Sequence, residues 1–120
     1  MSFESVLATI DALTTESVVG ICAHTRPDGD AIGSVLALVH ALGSSGVSAV
    51  PLLADEASAP STYGWLHDFS AYKMPSQVAL ERFDLFIVVD TPNVARLAGG
   101  SVYLDRSDAS LLIDHHPPLD

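Results

Sequence analysis

Leu85-Phe86-Ile87-Val88-Val89 is an unbroken apolar run that stops on Asp90. A strand with one wet face alternates apolar and polar residues, so a run without alternation predicts a strand covered on both faces. A parallel sheet between two layers of helix meets that condition. Ser17 to Ala23 reads the same way, Ser48 to Ala54 supplies another strand, and Ser110-Leu111-Leu112-Ile113 is a last one that stops on Asp114-His115-His116. Between the first two strands, Ala31 to Leu42 is apolar almost all round, as expected of a helix sandwiched in a layered domain, and Gly43 is expected to end it. Strand, helix and strand in that order form a βαβ unit. The expected fold class is α/β: a doubly wound, mainly parallel sheet with helices on both faces.

Around this frame the signals are weaker. Phe3, Val6, Leu7, Ile10 and Leu13 recur at helical spacing behind Ser2 as N-cap, so residues 3–14 read as an amphipathic helix. From Asp55 to Ser76, Pro60, Gly64 and Pro75 break the pattern, and one short helix with loops is expected there. Its aromatics (Tyr63, Trp65, Phe69, Tyr72) read as apolar anchors under a long connection rather than as a base-stacking surface. Val78 to Phe83 reads as a helical turn. Thr91-Pro92 opens a helix through Arg96 and Leu97, closed by Gly99-Gly100.

At 120 residues the chain is one domain or part of one. Fifteen acidic residues against five basic ones give a formal charge of −10, which argues against a groove tracking long duplex nucleic acid. A small anionic substrate stays open, because bound divalent ions would offset the acids locally. The segment from Ala31 to Leu42 is shorter than the ~20 residues of a membrane span, and Met1-Ser2-Phe3-Glu4 lacks the basic start of a signal peptide. A cytoplasmic location with no membrane partner is expected. The single cysteine, Cys22, falls in the first strand and reads as a buried small side chain.

Chemistry concentrates at the strand ends. His24, Asp28 and Asp30 follow the first strand, Asp90 follows the third, and Asp114, His115 and His116 follow the last. In a parallel sheet these ends share one edge, where ligands bind in α/β folds. Pro27 fixes its own φ, and Gly29 is read as freeing the chain so that Asp28 and Asp30 can face one ligand. Carboxylates held that close repel unless a proton or a cation separates them, and a divalent metal does so better at neutral pH. Oxygen ligands with a minority of imidazoles suit a borderline-hard ion such as Mn²⁺. With Asp90 bridging, two ions ~4 Å apart could share the site, activate a water and clamp a phosphoryl group.

His-x-x-Pro-Asp-Gly-Asp-Ala-Ile-Gly-Ser (24–34), Val-Val-Asp-Thr (88–91) and Ile-Asp-His-His (113–116) together resemble the first three motifs of the DHH phosphoesterase superfamily. That superfamily includes the RecJ exonucleases, family II inorganic pyrophosphatases, exopolyphosphatases, and the nanoRNase and 3′-phosphoadenosine 5′-phosphate phosphatases. The opening histidine, with Gly29 between the acids and Ser34 after them, is most similar to the nanoRNase group. The resemblance implies that His24, Asp28 and Asp90 hold one metal and that Asp30, Asp90 and His115 hold the other, both most simply Mn²⁺. It implies that His116 faces the substrate phosphate and stabilises developing charge, while Asp114 orients the histidines. Arg96 is either a phosphate contact or a solvated helix arginine, and Arg26 stands in the same position. His40 and His67 are expected to be structural.

The superfamily carries a fourth acidic motif after the Asp-His-His triplet and then a C-terminal substrate-binding domain, DHHA1. Residues 1–120 therefore read as the N-terminal portion of a DHH catalytic domain, without the fourth motif and DHHA1. Pro117-Pro118 also stands where relatives carry small polar residues. The implied function is a two-metal phosphoesterase that hydrolyses short oligonucleotides or small nucleotides through an activated water. The alternatives are a pyrophosphatase or exopolyphosphatase of the same superfamily, or a non-catalytic metal-binding module. Sheet surface left exposed would favour a homodimer.

Overall fold

The computed structural model describes residues 3–57, 59–78, 81–91 and 101–114. Among them, β1 (Val18–Cys22), β2 (Ser48–Leu52), β3 (Leu85–Val89) and β4 (Ser110–Ile113) form one parallel sheet in the order β2-β1-β3-β4. Helices α1 (Phe3–Asp11), α2 (Gly29–Ser44) and α3 (Ser101–Asp105) accompany it. The expected α/β class and all four strands are present. The anticipated helix through Arg96 and Leu97, with Gly99-Gly100 at its end, lies outside the described residues.

Two cores explain the lack of alternation in β3. Leu85, Ile87 and Val89 point to one face, where they meet Val19 and Ile21 of β1 and Ala31, Val35, Val39 and Leu42 of α2. Phe86 and Val88 point to the other, against Cys22, Leu52, Val78, Phe83 and Tyr103. All five β3 residues are buried. On β4 only Leu111 is buried, while Leu112 and Ile113 are exposed at the sheet edge. Val6, Ile10 and Leu13 pack on the α2 face as their spacing predicts, but Leu7 is exposed.

Helix α2 stops later than expected. Gly46, at φ +85°, is the left-handed residue after the Ser45 cap; its N–H donates to the Gly43 carbonyl and that of Val47 to Leu42. This paired arrangement closes the last turn, and Val47 and Leu42 share the same core. Gly43 lies inside the helix. Pro51 sits in β2 without disrupting it, because its carbonyl accepts from Lys73 N–H on the outer edge and its missing donor belongs on that side too.

The connector from β2 to β3 contains three short 3₁₀ segments, Ser61–Tyr63, Phe69–Ala71 and Pro75–Val78, rather than one short α-helix. Its aromatics divide: Phe69 and Tyr72 meet edge to face, whereas Trp65 is 80% exposed and anchors nothing. Tyr72 packs against the α2-side core, as expected of an apolar anchor, and polar contacts add to it. Lys73 N–H donates to Pro51 O, Leu53 N–H donates to Lys73 O, and the buried Tyr103 hydroxyl donates to Leu53 O at 2.7 Å.

Tyr103→Phe keeps the ring against Phe83 and Phe86 but leaves the Leu53 carbonyl without that donor. The expected loss is about 1–2 kcal/mol in urea unfolding with an unchanged m-value.

Burial also pushes the Cys22 thiol up from 9.0 to about 12, and raises the Tyr72 and Tyr103 phenols. An acid whose pKa is raised on folding contributes stability below its unfolded pKa and loses it as pH rises through the folded one. Unfolding free energy should therefore fall between pH 9 and about 12, with a shallower fall in Cys22→Ala.

Candidate metal centre

Strand order fixes where a ligand can enter. From β1 the chain moves outward to β2 and then returns to β3 on the other side of β1, so the connections diverge between the carboxyl ends of β1 and β3. Such a divergence opens a crevice. His24 lies just beyond β1 and Asp90 just beyond β3, which places both at its mouth.

Backbone constraints aim the side chains. Arg26 adopts φ +52°, turning the chain after β1 so that Asp28 caps α2. The Asp28 Oδ1 accepts from Ala31 N–H at 2.9 Å. Asp90 is 6% exposed, adopts φ +56°, and donates its N–H to Ile113 O across the sheet. A left-handed non-glycine residue costs free energy, and such residues cluster at functional sites.

His24 Nδ1 lies 2.7 Å from the Thr25 carbonyl. A carbonyl only accepts, so Nδ1 carries the hydrogen and, in the neutral ring, Nε2 presents a lone pair. Nε2 faces Asp90 Oδ2 at 3.5 Å and Asp28 Oδ1 at 4.0 Å. One ligand atom from each of His24, Asp28 and Asp90 falls within 4.8 Å of the others. A nitrogen lone pair and two carboxylates converging in this way fit a divalent cation.

Clefts flank the group. One of about 410 Å³ is lined by Asp28 with Thr25, Arg26 and Asp55, and another of about 340 Å³ by Asp90 with Ser34 and Asp114. Of the residues expected to form the site, the structure thus brings together His24, Asp28 and Asp90 and sets Asp114 on the same cleft as Asp90. Asp30 is exposed in the first turn of α2, outside that threesome. Arg96, His115 and His116 lie outside the described residues. Cys22 is fully buried, as expected, and no nucleophile.

Gly29 serves a purpose other than the one expected. It is the first residue of α2, and a Cβ there would lie 3.2 Å from Tyr63 Oη and 3.3 Å from Tyr63 Cε1. Its bareness lets the Tyr63 ring approach the α2 backbone closely. Tyr63 was hidden from sequence reasoning because it sits on the distant connector with no periodic pattern. His40 and His67 are not packed structural residues either: both are exposed and meet edge to face with ring centroids 4.9 Å apart.

A doubly wound parallel sheet with N and O donors gathered at its switch point defines an α/β domain with a candidate metal site there. The chain belongs to the DHH family: residues 18–120 match the description "DHH family, N-terminal domain". Members of that family are phosphoesterases that use divalent metal ions. The fold is similar to the crystal structure of an exopolyphosphatase-related protein from Bacteroides fragilis, with a TM-score of 0.81 at 22% identity. The alignment covers 98% of this chain and 35% of that one. Among the described residues, no helix is long and apolar enough to cross a membrane.

Asp28 caps α2 and is also a member of the candidate metal group. Asn also caps helices well, so Asp28→Asn should hold stability within about 0.5 kcal/mol while weakening divalent-metal binding about 10-fold or more. Asp28→Ala should in addition lower unfolding free energy by about 1 kcal/mol. Paired denaturation curves and calorimetric metal titrations separate the two effects.

Proposed function

We propose that the protein is a Mn²⁺-dependent phosphoesterase acting on short oligonucleotides or small nucleotides, of the nanoRNase and 3′-phosphoadenosine 5′-phosphate phosphatase type. The observation that carries the reading is the convergence of His24, Asp28 and Asp90 at the switch point of the sheet. In this reading those three side chains hold one ion, and Asp30, Asp90 and His115 hold a second. Bound there, the ions would supply an activated water and charge neutralisation for attack on phosphorus.

The chain's own groups do the positioning. The Thr25 carbonyl keeps the His24 hydrogen on Nδ1, so Nε2 stays turned toward Asp90 and Asp28. The hydrogen bond from Asp90 N–H to Ile113 O ties the bridging carboxylate to the sheet rather than to a loop. His116 is assigned to the substrate phosphate, Asp114 to orienting the histidines, and Arg96 to a phosphate contact. A net charge of −10 fits a small substrate held by ions better than a long duplex held by basic side chains.

Asp90→Asn should lower Mn²⁺ affinity about 100-fold or more in calorimetry, while Asp11→Asn, at an exposed position at the end of α1, should leave it unchanged. Equal affinities in the two variants would remove the bridging role. A panel of dinucleotide, 3′-phosphoadenosine 5′-phosphate, pyrophosphate and polyphosphate then decides substrate class. Turnover confined to the last two would replace the nucleotide reading with a pyrophosphatase or exopolyphosphatase. Metal binding without turnover of any of them would make the domain a binding module.

A further inference from the structure

We propose that His40, His67 and Asp68 form a second metal site, for a borderline transition-metal cation such as Zn²⁺, between α2 and the β2–β3 connector. One ligand atom from each lies within 4.8 Å of the others, and His67 Nε2 is 3.5 Å from Asp68 Oδ2. A tetrahedral ion with ligands at about 2.1 Å needs them about 3.4 Å apart. The His67 and Asp68 pair already fits, and rotation of exposed side chains closes the remainder.

Burial does not explain the cluster. Both imidazoles are exposed, yet they meet at right angles across two elements distant in sequence. Together with Val39, Gly43 and Ser44 they line an open cleft of about 300 Å³, large enough for an ion and water. Two imidazoles and one carboxylate make a donor set softer than that of the first site, and one that leaves a fourth position open to solvent. The two sites are separate. His40 lies about 18 Å along α2 from the Asp28 cap at 1.5 Å per residue. An ion held here would pin the connector to α2, and the same connector carries Tyr63 onto Gly29.

Trp65, the single tryptophan, is exposed and two residues from His67, so it reports on the site directly. In an Asp90→Asn background, Co²⁺ should quench Trp65 fluorescence saturably, Zn²⁺ should reverse the quenching, and Zn²⁺ should raise the melting temperature by about 5 °C. His40→Ala with His67→Ala should abolish all three effects while leaving the metal-free melting temperature and circular dichroism unchanged. Asp68→Asn, which tolerates the left-handed backbone at φ +66°, should weaken binding about 10-fold. Quenching and stabilisation that persist in the double-alanine variant would overturn the site. The same variants in the wild-type background, titrated with Mn²⁺, keep this outcome distinct from the fate of the first site.

Discussion

The structure depends on β3 being covered on both faces. A five-residue strand with no polar side chain must be sealed by two layers, and its neighbours must then be parallel, because the helices that seal it are the crossovers between strands. With both faces closed, the carboxyl edge of the sheet is where polar chemistry can reach the centre of the molecule. Asp90 occupies that edge at the end of the most buried strand. Its position follows from the core rather than from a separate binding loop.

A carboxylate placed there needs compensating partners, because burial disfavours its charged form. The Asp90 backbone is committed to β4 through Ile113, and its left-handed φ fixes the direction in which the side chain leaves the chain. A neutral His24 ring, with its hydrogen on Nδ1, turns a lone pair rather than a proton toward Asp90. A divalent cation would satisfy all three groups at once, in keeping with a family whose members use divalent metal ions.

The sheet was legible because the apolar runs are short, uninterrupted and stop on charged residues; β3 and β4 begin and end where the runs do. That His24, Asp28 and Asp90 come together was legible because they lie beyond the carboxyl ends of two neighbouring parallel strands. What was not legible depended on tertiary packing. Gly43 and Gly46 look equivalent as helix stops, and only the bonds from Gly46 and Val47 back to Gly43 and Leu42 distinguish them. Gly29 invited a conformational argument, but its constraint is the Tyr63 ring arriving from a connector with no periodicity. The pairing of His40 with His67 is of the same kind: one is on a helix and the other between 3₁₀ turns, with nothing in sequence to bring them together.

Helix α2 also accounts for the different composition of the two clusters. At its N-terminus the helix dipole presents partial positive charge, which suits the Asp28 and Asp30 carboxylates and an incoming phosphate but opposes a cation. Holding a divalent ion there requires more than one acid, and the His24, Asp28 and Asp90 group carries two, one of them partly engaged in capping. His40 lies just before the last turn, where the exposed carbonyls carry partial negative charge and favour a cation. One acid, Asp68, beside two imidazoles is the complement offered at that end. The same dipole that favours acids at one end of the helix thus lets histidines dominate at the other.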